Sequence, residues 1–145
     1  MIKGIKIGCY LILVVLSFLP GLLLADILVV AQKQDQIKPL KQSQVRSLWL
    51  GQNSIINGKR VKVIDQFTGS ETRTQFYIEV ANMSQLELKR YWAKRIFSKG
   101  TFPPEMKRND QEVLKWVRAD TNRIGYIDSS AYRPDLDILF KLDVQ

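Results

Sequence analysis

Residues 60–76 read RVKVIDQFTGSETRTQF. In RVKVID (60–65) apolar and polar residues alternate, the period of a strand with one covered face. Beyond it Phe76, Val80 and Met83 recur at spacings of four and three, which predicts an amphipathic helix starting near Ser70. A strand that gives way to a helix within a few residues is the building unit of an α/β layer, so this stretch sets the fold class.

The flanking segments continue the alternation. Upstream, Asn57-Gly58 is a turn signal before the strand, and Ser43 is placed to cap a short helix that carries Val45, Leu48 and Trp49 on one face and ends at Gly51. ILVVA (27–31) is β-branched and uninterrupted, as expected of a buried parallel strand, and the polar QKQDQIKPLKQ (32–42) with Pro39 reads as a connecting loop. Downstream, Ser84-Gln85-Leu86-Glu87 is a capping box that opens a helix with Leu88, Tyr91, Trp92 and Ile96 inward and Lys89, Arg90, Lys94 and Arg95 mostly outward. SKGTFPPEMKRN (98–109) is a loop, Asp110 is placed to cap a helix with Val113, Trp116 and Val117 that runs to about Asn122, and RIGYID and LDILFKL are the last two strands. The expected architecture is α/β, a mixed or mostly parallel sheet flanked by helices.

A chain of 145 residues, 46% apolar and 25% charged, suits one globular domain. Lys3 and Lys6 precede an apolar run from Ile7 to Leu24 that closes in LLLAD, the order of a secretory signal. Cleavage after Ala25 leaves a domain over 26–145; retention leaves a membrane anchor, and either outcome exports the folded part. Cys9 is the only cysteine and lies in that signal, so the mature chain has no internal disulfide and no thiol nucleophile. Histidine is absent, which removes Ser-His and Cys-His catalysis and imidazole metal sites. The expectation is a non-enzyme without metal or cofactor. The net charge of +8 becomes +6 without Lys3 and Lys6, which points to an anionic partner or to a solvated positive surface, and no nucleic-acid module is recognisable.

Gly69-Ser70-Glu71-Thr72 follows a strand and opens a helix, where free backbone N–H groups and the positive dipole end attract anions. Ser70 and Thr72 would add hydroxyls and Arg73 a charge. Thr68-x-x-Glu71 is equally a capping box that satisfies the helix start internally, and the residues alone favour that cap while leaving both readings open. Trp49, Trp92 and Trp116 fall at helical spacing from other apolar residues and read as core anchors. Gly125-Tyr126 reads as a close-packed strand, with a cleft at the sheet edge as the other place for Tyr126. Asp135 and Asp137 read as surface carboxylates.

The succession ILVVA, SQVRSLWLGQ, NG with RVKVID, GSETRTQF, YWAKRIFSKG, PP and EVLKWVRADTNRIGYID resembles the periplasmic substrate-binding proteins of phosphate ABC transporters, in a small single-lobe form. The resemblance spans Asp26 to about Asp128. It implies a periplasmic location and one lobe of a two-lobed fold in which an Arg, Ser-Gly-Thr loop at a helix N-terminus holds the anion. Ser70 and Thr72 match the Ser and Thr of that loop; Glu71 stands at its Gly, and Gln66, beside Asp65, at its Arg. The implied ligand site is Gly69, Ser70, Glu71, Thr72 and Arg73, the ligand phosphate or a similar oxyanion, and the protein partner an ABC permease or another envelope protein. A rival expectation is a lobe that has lost its ligand and serves as a protein-interaction or envelope-assembly module through Lys89, Arg90 and Lys94. A third is contact with an anionic membrane surface, helped by a retained signal.

Overall fold

The computed structural model describes residues 25–34 and 38–144. The signal reading and Cys9 fall outside these residues, Ala25 excepted. In chain order the elements are β1 (Ile27–Gln32), α1 (Gln42–Trp49), β2 (Ile55–Ile56), β3 (Lys59–Arg60), β4 (Lys62–Val63), β5 (Asp65–Gln66), α2 (Glu71–Ala81), α3 (Gln85–Lys99), β6 (Met106–Lys107), α4 (Asp110–Arg118), β7 (Arg123–Asp128) and β8 (Leu136–Leu142). The main sheet has the order β4-β7-β1-β8. β4 runs parallel to β7, and β1 is antiparallel to both β7 and β8. The expected mixed sheet flanked by helices is observed.

The parallel reading of ILVVA is overturned. Ile27, Val29 and Ala31 enter one core, with residues of α1, α2 and α3, and Leu28 and Val30 enter another, with residues of α4. Covering both faces of a strand produces an unbroken apolar run whatever the direction of its neighbours. Gly125 in β7 permits the second packing, because a Cβ there would lie 2.6 Å from Val113 Cγ1 of α4.

RVKVID does not form one strand. Asn57 and Gly58, both at positive φ, turn β2 into β3. Lys62–Val63 then joins β7, and after Ile64 the chain leaves the main sheet so that β5 pairs in parallel with β6. Three other boundaries move. The cap of α1 is at Lys41, whose N–H donates to Gln44 Oε1 at 2.9 Å, leaving Ser43 inside the helix. Asn109 caps α4 in place of Asp110, and that helix ends at Arg118. Met83 lies beyond the end of α2 at Ala81. Trp49 and Trp92 are buried, and Trp116 is half-buried under the Arg123 guanidinium, 4.8 Å from the ring centroid. Among the described residues no helix is long and apolar enough to cross a membrane.

Candidate functional site

Asp65, Gln66, Ser70 and Arg73, all buried, meet beneath the N-terminus of α2. Pairing with the 105–107 segment fixes β5, through Asp65 N–H to Glu105 O at 2.8 Å and Phe67 N–H to Lys107 O at 3.0 Å. Arg73 is brought by the first turn of α2. It lies on the same helical stripe as Phe76, Tyr77 and Val80, all buried.

Asp65 is the hub. Its Oδ2 accepts from Arg73 Nε at 3.1 Å and from the Tyr77 hydroxyl at 2.9 Å. Its Oδ1 accepts from the Gln66 N–H at 2.8 Å and from the Tyr126 hydroxyl. Arg73 Nη1 also donates to Gln85 Oε1, and its guanidinium carbon lies 5.1 Å from the Tyr77 ring centroid. A buried ion pair is tolerable when its lone pairs and protons are met in this way. Burial, and then the charge of Asp65, pushes both the Tyr77 and Tyr126 hydroxyls well above the usual tyrosine range, so both remain neutral donors. Tyr126 is fully buried and stacks on Phe76 at 3.9 Å, which removes its reading as a residue of an edge cleft.

Gln66 closes the other side. Its Nε2 donates to Asp110 Oδ1 at 2.7 Å and to the Tyr126 carbonyl at 3.2 Å, while its Oε1 accepts the Ser70 hydroxyl at 2.7 Å. Burial raises the Asp110 carboxyl above its ordinary value, with the Gln66 bond acting against that rise. The Ser70 oxygen in turn accepts the Arg73 N–H at 3.2 Å, so Ser70 is the cap of α2 and the Thr68–Glu71 box does not form. Thr68 instead belongs to the turn that Ser70 N–H closes on Phe67 O at 2.9 Å.

The five residues of the expected site therefore divide. Ser70 and Arg73 are buried in the network. Gly69 and Glu71 are exposed and Thr72 is half-buried. The N–H groups of Glu71 and Thr72 and the Thr72 hydroxyl have no hydrogen-bond partner among the described residues. A cleft of about 630 Å³ is lined by Asp65, Thr68 and Arg73 together with Leu88, Trp92 and Met106, and Gly69, Ser70, Glu71 and Thr72 are not among its lining residues. Sequence reasoning missed Tyr77 and Tyr126 as partners of Asp65; the stripe shared by Arg73 and Phe76 was the available sign that Arg73 turns inward.

No family model and no curated protein matches the sequence. Among solved structures the chain is similar to a protein from Clostridium perfringens with bound phosphate, described as a phosphate ABC transporter substrate-binding protein, at TM-score 0.63 and 19% identity over 80% of this chain. It is also similar to an ABC-type phosphate transport receptor from Vibrio cholerae, at TM-score 0.61 and 15% identity, again over 80% of this chain. The matched parts amount to 45% and 46% of those two proteins, so this chain spans less than half the length of either. At such identities the likeness is one of fold alone.

Proposed function

We propose that this chain is an exported, non-catalytic binding lobe that takes a small oxyanion, phosphate first, at the N-terminus of α2. One observation carries the reading. The unpartnered N–H groups of Glu71 and Thr72, with the Thr72 hydroxyl beside them, stand at the positive end of an 11-residue helix. The likeness of the fold to a protein with bound phosphate supports it. In this reading Gly69 and Ser70 shape the turn, Glu71 and Thr72 give the backbone donors, and Arg73 contributes positive potential reduced by Asp65. Affinity is weak, because the Glu71 carboxylate opposes an anion by roughly 1 kcal/mol at about 4 Å in water. A second lobe or chain that closes over the site strengthens it, and an ABC permease is the partner in a transport role within the periplasm.

Isothermal titration with phosphate and sulfate at low salt tests this. The expected result is saturable heat in the millimolar range, tightened by Glu71→Gly and weakened by Thr72→Ala. Ser70→Ala is a poor control, since it removes the cap of α2 and mixes stability with binding. Absence of heat in both the wild type and Glu71→Gly overturns the reading.

A second reading has its own support. Gln66 Oε1 accepts the hydroxyl that Ser70 would turn toward an anion, and the arginine that the resemblance implies at that position is replaced by this internally bonded amide. A cradle closed by its own chain suits a ligand-free lobe that contacts another envelope protein, and a silent titration favours it.

A further inference from the structure

We propose that the outward face of α3 is a docking surface for an anionic phospholipid membrane. The inward face of α3 packs on the domain: Leu88 and Trp92 are buried, the Tyr91 hydroxyl donates to Leu50 O at 2.6 Å, and Arg95 Nη2 donates to Gly51 O at 2.8 Å. On the opposite side Leu86, Ala93 and Phe97, at i, i+7 and i+11, form a single row along the helix. Leu86 is 56% exposed and Phe97 92%. Lys89 flanks this row on one side and Arg90 and Lys94 flank it on the other, all exposed, and Lys99 ends the helix.

None of these four cations forms an ion pair among the described residues. The one acidic residue of α3, Glu87, is tied to Ser84 by its N–H and hydroxyl at 2.8 Å each. A soluble surface gains nothing from a phenylalanine held almost wholly in water. An apolar row rimmed by unpaired cations matches a planar surface that offers phosphates at the rim and acyl chains beneath. The row runs for roughly 16 Å along the axis, so the whole of it meets a plane at once when the helix lies flat. Lys89 and Ala93 also line the cleft that reaches Arg73, so one edge of this surface borders the candidate site.

The test uses the full chain with Cys9→Ala and Ser98→Cys, labelled at position 98 with an environment-sensitive fluorophore. A blue shift is expected with vesicles of equal phosphatidylglycerol and phosphatidylcholine, reversed by high salt, and absent with pure phosphatidylcholine. Both L86S/F97S and K89Q/K94Q should lower partition on the order of tenfold. Their thermal midpoints stay unchanged, because these side chains are exposed. No shift on anionic vesicles, an equal shift on neutral ones, or indifference to both variants overturns the proposal. A shift with polyglutamate and none with vesicles also overturns it, and would assign the face to an acidic protein.

Discussion

α2 and α3 both begin on a serine whose oxygen accepts the N–H three residues on, Ser70 from Arg73 and Ser84 from Glu87, each at 3.2 Å. Around Ser84 the reciprocal partner lies within the same four residues: Glu87 accepts the Ser84 N–H and hydroxyl, and the box sits in solvent. Around Ser70 the partner comes from β5. The Ser70 hydroxyl donates to Gln66, and the third helical residue is an arginine directed at buried Asp65. One cap is local. The other joins strand, helix and sheet, and couples the start of α2 to the protein core.

The strongest way to break that contrast is at Asp65. Asp65→Ala leaves the Arg73 charge buried without its partner and removes the acceptor of two tyrosine hydroxyls, a change that costs about 3–5 kcal/mol when one half of a buried pair is lost. Replacing both members, as in D65N/R73M, should be markedly milder than Asp65→Ala, because no buried charge remains. Urea unfolding of the variants measures both. Equal losses in the single and the double variant would show that the pair does not anchor α2.

Alkaline titration probes the same core. The folded-state values of Tyr77 and Tyr126 lie above those of the unfolded chain, first through burial and then through Asp65. Between the unfolded tyrosine value of about 10 and the folded values, the native state holds more protons. The stability contributed by these hydroxyls is therefore complete below about pH 10 and is lost as pH rises through the folded values. Tyrosinate absorbance should show two tyrosines released only with cooperative unfolding. Gradual ionisation of every tyrosine in a still folded chain would contradict the burial.

The same contrast explains what the sequence revealed. The Ser84 box, the turn at Asn57-Gly58 and the last two strands, Arg123–Asp128 and Leu136–Leu142, depend on neighbouring residues, and they were legible because local pattern decides them. The direction of β1 was not, since burial on two faces hides the partner strands. At the candidate site the helix start near Ser70 was legible, but its capping residue was not. Thr68 and Ser70 offer alternative caps two residues apart, and Ser70 is the one whose hydroxyl reaches Gln66, a contact with no sequence signature. Asp65 and Gln66 stood out only as departures from a loop pattern, whereas their part as the floor of the site emerges from packing with Tyr77 and Tyr126.

The smallest effect separates the two caps by pH. Hydrogen bonds from the Ser84 N–H and hydroxyl hold the Glu87 carboxyl below its ordinary value. The folded value is the depressed one, so this contribution is present above the unfolded value and is lost as pH falls through the folded one. The stability difference between Ser84→Ala and wild type should therefore shrink between pH 7 and the acid limit of the native state. Ser70→Ala should cost about 1–2 kcal/mol at neutral pH, more than Ser84→Ala, because it removes a buried cap and leaves Gln66 Oε1 without its donor. Its reciprocal partner is an amide with no proton to gain, so acidification has no such handle on it. If the Ser84→Ala difference held constant while that of Ser70→Ala collapsed, the titrating partner would belong to the buried cap, and Asp110, bonded to Gln66 and raised by burial, would be the group responsible.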